Sequence, residues 1–239
     1  MKKRGTFADK SNWNILKLLK IRASEYGNKE FVRFDTGNTL SFKSLDELSD
    51  KMAYKLLNIG LKEDENVFCL LKNSPEFLIA LFAVMKTGAV FVPINTELRG
   101  QFLEHQYRNC EPKIAIINNS LLDVFDSIKS QESRLKGTII TDTFDEASLP
   151  IALHSDVTLS FDSCLENIAN INDARLLESV SIHKICAIMY TSGTTGPSKG
   201  VLLPHGHFFS YAIISAEAAH FSNKDIQYIC MPLFHINAL

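Results

Sequence analysis

The stretch best equipped for chemistry is Tyr190 to Gly200, which reads YTSGTTGPSKG. Three of the chain's eleven glycines fall here within eight residues, interleaved with Thr191, Ser192, Thr194, Thr195, Ser198 and a single cation, Lys199. Glycines let backbone N–H groups approach an anion closely, hydroxyls add donors, and the lysine neutralises charge. That combination suits a polyphosphate. A Walker-type loop would need G-x-x-x-x-G-K-[ST]. Counted from Gly193, Ser198 stands where the second glycine should be and Gly200 follows the lysine, so that pattern fails. A conventional nucleotide hydrolase is disfavoured accordingly.

Other candidates are weaker. His205-Gly206-His207 has metal-like residues but no third ligand close in sequence, and helix capping by His205 or exposure to solvent explains it better. Asp35, Asp123 and Asp126 show no pairing that suggests acid–base work. Met231-Pro232-Leu233-Phe234-His235 places an imidazole directly after an aromatic near the end of the sequence.

The elements that must position these residues alternate between strand and helix. A helix is predicted over about 12–26, stopped by Gly27, and a hairpin over Phe31–Phe34 and Leu40–Phe42. Ser44-Leu45-Asp46-Glu47 fits a capping box for a helix ending at Gly60. Strands follow at 66–71, 89–94, 113–117 and 138–141, with helices at 74–88, 97–109 and 121–129 between them. Phe77 to Met85 is apolar nearly all round, so its helix should be buried. Apolar runs at 185–189 and 201–203 flank the glycine-rich loop, a helix is expected over 207–220, and Ile226 to Cys230 reads as a further strand. Repeated alternation of this kind implies an α/β fold, a mixed and largely parallel sheet with flanking helices.

Composition narrows the partners. With 46% hydrophobic and 22% charged residues over 239 positions, the chain can bury a substantial core. A net charge of −2 gives no reason to expect nucleic acid. No apolar run approaches the roughly 20 residues of a membrane-spanning helix, so integral membrane association is not expected. Polar Asp9 to Asn14 stand where a signal peptide would be apolar. The five cysteines are odd in number and form no C-x-x-C pair, and Cys69, Cys186 and Cys230 lie in apolar runs as small buried hydrophobes. A cytoplasmic location is the natural inference.

The loop resembles the phosphate-binding motif of the adenylate-forming superfamily, which includes acyl-CoA synthetases, nonribosomal peptide adenylation domains and luciferases. The pattern, close to [YF]-[TS]-[SG]-G-[ST]-[TS]-G-x-P-K-G-V, is matched from Tyr190 to Val201 except that Ser198 stands where proline usually precedes the lysine. Lys86 to Asn95, KTGAVFVPIN, is similar to the superfamily's K-x-G-A-x-x-x-P-[IL]-[ND] segment, and Pro232 to His235 to its P-[LM]-[FY]-H motif. The ending Phe234-His235-Ile236-Asn237 leans towards the acyl-CoA or crotonobetaine/carnitine-CoA ligase branch.

The resemblance implies that a small-molecule carboxylate attacks the α-phosphorus of ATP, and that coenzyme A then captures the acyl-adenylate. Thr191, Ser192, Gly193, Thr194, Thr195, Gly196 and Lys199 would bind the phosphates, Thr194 would contact Mg²⁺, and Lys199 and His235 would act at the reacting centre. Positioned donors of this kind are each worth on the order of 10²–10³ in rate. The superfamily's later motifs have no counterpart before Leu239. These are a glutamate for Mg²⁺, an aspartate for the ribose, and a C-terminal domain bearing a lysine. Residues 1–239 are therefore expected to form the first part of the large N-terminal domain, without the C-terminal one, and to be inactive or partly active alone. An adenylation domain that loads a carrier-protein thiol, or a non-catalytic remnant, are the alternative readings.

Overall fold

The computed structural model describes residues 13–128, 135–142, 155–166, 176, 180–191 and 197–239. Helix α1 (Ile15–Tyr26) starts at Asn14, whose side-chain oxygen accepts from the Leu16 and Lys17 amides. Gly27, at φ +51°, ends it and returns its amide to the Ala23 carbonyl. Strands β1 (Glu30–Arg33) and β2 (Thr39–Ser41) form the expected hairpin.

Helix α2 (Phe42–Asn58) follows at once, and its capping box is Ser41 with Ser44, three residues before the expected Ser44–Glu47. A serine at the third helical position does the work usually given to Glu or Gln, which is why the pattern points one turn too late.

The main sheet is built from β3 (Asn66–Leu70), α3 (Pro75–Lys86), β4 (Val90–Pro93), α4 (Gly100–Cys110), β5 (Ile114–Asn118), α5 (Leu122–Asp126), β6 (Gly137–Thr141), β7 (Thr158–Ser160), α6 (Phe161–Leu165), β8 (Ile185–Tyr190), β9 (Gly200–Pro204) and α7 (His205–Ala218). Its seven strands run in the order β7-β6-β5-β3-β4-β8-β9. Every neighbouring pair is parallel except β8 with β9, which is antiparallel. From β3 the chain moves outward to β4, then returns across β3 to β5. Crossovers of one hand in opposite directions place α3 and α4 on opposite faces of the sheet.

Two buried clusters match that arrangement. Leu45, Met52, Phe77 and Phe91 belong to one, and Phe68, Leu103, Tyr107 and Phe125 to the other. Along β3 the faces alternate, with Val67 and Cys69 in the first cluster and Phe68 and Leu70 in the second.

Helix α3 is buried from Phe77 to Lys86, as its all-round apolar sequence requires. Lys86 closes it with a buried ion cluster. Its ammonium lies 2.8 Å from the Asp46 carboxylate, 2.6 Å from Asp50 and 2.9 Å from the Ser49 hydroxyl, which ties α3 to α2. The Lys86–Asn95 segment is thus helix end, turn and buried strand in one.

Two expectations are corrected. Ile226 to Cys230 is not a strand: the segment is irregular, with Ile226 98% and Tyr228 88% exposed. Strand propensity reflects packing against a neighbour, and β9 ends the sheet before this segment is reached. For the same reason Cys230 is exposed rather than buried, whereas Cys69, Cys110, Cys164 and Cys186 are buried. Burial pushes the thiols of Cys110 and Cys186 up to about 12, so neither is a nucleophile at neutral pH. Among the described residues no helix is long and apolar enough to cross a membrane.

Candidate functional site

Strand β8 lies parallel to β4 and β3, so Tyr190 ends at the same carboxyl edge of the sheet as Leu70 and Pro93. Ligands of open α/β sheets bind at this edge. The β8–β9 ladder runs to Tyr190 opposite Gly200 and is extended by the Thr191 amide, which donates to the Lys199 carbonyl over 3.1 Å. Thr191 and Lys199 are therefore the two posts of the loop's mouth, while Ser192, Gly193, Thr194, Thr195 and Gly196 lie outside the described residues.

Gly200 has a packing reason to be glycine. A Cβ there would meet the Ile188 Cγ2 at 2.8 Å.

Helix α4 braces both posts from one turn. On the entry side, the Tyr190 hydroxyl donates its one proton to Asn109 Oδ1 (2.7 Å), with the Gln106 carbonyl a weaker, competing acceptor at 3.3 Å. Burial pushes the Tyr190 phenol well above its usual pKa, so it remains a donor. On the exit side, the Ser198 hydroxyl accepts from Gln106 Nε2 and its carbonyl from His105 Nε2, each at 3.0 Å. The His105 partner is a carbonyl, so Nε2 carries the proton. Lys199 itself is exposed, and among the described residues its ammonium has no hydrogen-bond or ion-pair partner. Its ammonium is thus open to an anion at the start of β9.

The histidine motif reaches the same edge by another route. Asn73, just past β3, accepts from the Leu233 amide (2.7 Å) and donates to the Met231 carbonyl (3.2 Å). Leu233 is buried and Phe234 packs against the larger cluster, while His235 is exposed with its ring 4.5 Å from that of Phe234. The Tyr211 hydroxyl bonds Asn237 and ties α7 to this turn. No hydrogen bond or ring contact joins His235 to Thr191 or Lys199 among the described residues.

Asn73, His105, Gln106 and Asn109 are absent from the sequence-based site. The only signal for the last three is that they fall on one side of a helix whose buried positions are Leu103, Gln106, Tyr107 and Cys110, so that a polar Gln106 stands among the buried ones. Asn73 reads from sequence as nothing more than the approach to a helix.

His205 departs from both expectations for it. It begins α7, is 1% exposed, and makes no side-chain cap. Burial, with a smaller effect from nearby Lys184, pulls its pKa down to about 4, so it is neutral at pH 7. His207 is exposed. Among the described residues no cluster of three His, Cys, Asp or Glu side chains could hold a metal ion.

A family model described as AMP-binding enzyme matches residues 19–239. The chain belongs to this family. Both the loop mouth and the histidine turn lie within the match. Among curated AMP-binding relatives, a medium/long-chain-fatty-acid–CoA ligase of Mycobacterium tuberculosis is 24% identical over 91% of this chain and 34% of its own length. The 2-succinylbenzoate–CoA ligase of Listeria monocytogenes is 26% identical over 88% of this chain and 38% of its own. The crotonobetaine/carnitine–CoA ligase of Shigella flexneri is 26% identical over 90% and 41%. The chain thus spans little more than a third of the length of these relatives.

Solved structures agree on the fold. ATP-bound MatB from Rhodopseudomonas palustris superposes with a TM-score of 0.71 at 22% identity, over 95% of this chain and 41% of that one. The N-terminal domain of FACL13 from Mycobacterium tuberculosis gives 0.70 at 26% identity, over 94% and 52%.

Proposed function

We propose that this AMP-binding chain serves the ATP-dependent activation of a carboxylic acid as an acyl-adenylate, followed by transfer of the acyl group to coenzyme A. The observation that carries the reading is the exposed, unpaired Lys199 mounted at the mouth of a hydroxyl- and glycine-rich loop. In the first step a carboxylate oxygen bonds to the α-phosphorus of ATP, the bond to the β-phosphate bridge breaks, and pyrophosphate departs with the charge. Lys199, Thr191 and the donors of Ser192 to Gly196 would receive that charge, and His235 would stand on the carboxylate's side. In the second step the thiol sulfur of coenzyme A bonds to the acyl carbon, and AMP leaves.

Mg²⁺, held in part by Thr194, would neutralise phosphate oxygens. The relatives' names as CoA ligases favour coenzyme A over a carrier-protein thiol as the acceptor. The complete reaction is proposed at the scale of those longer relatives. These 239 residues are assigned the pyrophosphate-side clamp, and alone they should form little or no acyl-CoA.

Thermal unfolding with and without ATP tests the assignment. Ligand at 100 times its dissociation constant stabilises the native state by about 2.7 kcal/mol. A rise of several degrees in Tm is expected. No rise at millimolar ATP with Mg²⁺ would overturn the nucleotide reading, and efficient acyl-CoA formation by this chain alone would overturn the division of labour.

A further inference from the structure

Ser198 is the one position at which the loop departs from the motif it otherwise matches, and it lies against α4 through two hydrogen bonds. Its hydroxyl accepts from Gln106 Nε2 and its carbonyl from His105 Nε2, each at 3.0 Å. Gln106 is only 4% exposed, and among the described residues its buried Oε1 has no hydrogen-bond partner. A buried amide with one orphaned oxygen is a poor choice for packing, since an apolar residue of similar size would leave nothing unsatisfied. Its Nε2 contact to Ser198 is what the position gains in return. The Gln106 carbonyl meanwhile lies 3.3 Å from the hydroxyl of Tyr190, the residue before the opposite post, whose proton goes mainly to Asn109.

We infer that Gln106 and His105 are positioning residues. They latch Ser198 to α4 and thereby fix the backbone of Lys199, the next residue. A proline at 198 would achieve this without a partner, because its ring sets φ near −65°. Serine has no such restraint, so hydrogen bonds to the helix supply it. The Ser198 amide makes no hydrogen bond among the described residues, so a proline there would remove none. The latch is a statement about the unliganded chain. Its consequence for ATP rests on the assignment of Lys199 as the phosphate clamp.

The test compares Gln106→Leu, Ser198→Ala, Ser198→Pro and the Gln106→Leu/Ser198→Pro double variant by amide hydrogen exchange at Lys199 to Val201 without ligand. Ser198→Ala removes the hydroxyl contact from the surface side, which keeps the test valid if Gln106→Leu folds poorly. Loss of one neutral hydrogen bond should accelerate local exchange about fivefold in Gln106→Leu and Ser198→Ala. Ser198→Pro should exchange like the unaltered chain, and adding Gln106→Leu to it should change little. That rescue is what a merely structural glutamine would not show.

Unchanged exchange in the two single variants, or equal damage by Gln106→Leu with and without the proline, overturns the latch. ATP titration of the same proteins separates the two claims. Parallel loss of affinity of about fivefold supports both. The expected exchange pattern in a chain that does not bind ATP supports the latch and defeats the clamp.

Discussion

Across the mouth of the β8–β9 hairpin, the Thr191 amide donates to the Lys199 carbonyl over 3.1 Å. This bond adds one rung beyond the Tyr190–Gly200 pair, so the cation is mounted on the end of the sheet and not within the loop. The Lys199 backbone is thereby held at the end of the β8–β9 ladder.

Lys86 offers a test of the scaffold beneath the site. Its ammonium is buried between Asp46 and Asp50, with side-chain exposures of 6%, 9% and 23%. Replacing it with methionine would strand Asp50 and leave Asp46 only the 3.8 Å contact to the exposed Lys20 in the α2–α3 interface. A loss of about 3–5 kcal/mol in unfolding free energy is expected from denaturant titration. A change below 1 kcal/mol, by the same measure, would mean that water already screens the pair.

His205 should make the chain acid-sensitive. Its pKa falls from the ordinary 6.5 to about 4 in the folded state, so between those values the unfolded chain binds the extra proton. Above pH 6.5 His205 is neutral in both states and contributes no pH dependence; as pH falls towards 4 the unfolded chain takes up the proton first, and the folded state loses about 3 kcal/mol relative to neutral pH. Among the described residues both ring nitrogens lack partners, so His205→Leu should cost little at pH 7 and flatten the profile between pH 6.5 and 4. Equal pH slopes for the two proteins would contradict this.

Asn73 holds the histidine turn by its amide, accepting from Leu233 and donating to Met231. Asn73→Asp keeps the acceptor and loses the donor, whereas Asn73→Ala loses both. Proteolysis within 226–235 should quicken in Asn73→Ala and less so in Asn73→Asp, with Tm shifted only slightly, because the bonds are near the surface. Indistinguishable cleavage would show that Leu233 and Phe234 anchor the turn by themselves.

The framework of this fold is legible in the sequence because its central strands β3 to β6 are almost wholly buried and helices α1 to α3 are each followed by a glycine at positive φ. Ser74-Pro75 starts α3 and Gly88, at φ +74°, follows its end, as the residue types demand. The loop before Lys199 stands out as plainly in the sequence, with six hydroxyl or glycine residues in succession. Side-chain partnerships across long separations were not legible. Gln106 and Ser198 are 92 positions apart, and Asn73 and Leu233 are 160 apart. Nothing in the local pattern of either pair indicates the other. Ile226 to Cys230 failed for a related reason: alternation records what a strand would bury, not whether a neighbouring strand is there to receive it.

ATP titration of the unaltered chain beside Lys199→Ala is the most direct test of the clamp. A charged hydrogen bond to phosphate is worth about 1.5–3 kcal/mol, so affinity should fall about 10- to 100-fold, with the unliganded melting temperature unchanged because Lys199 is exposed and unpaired. Lys199→Arg should retain part of the affinity. If Lys199→Ala binds ATP as tightly as the unaltered chain, this loop is not where the phosphates are held.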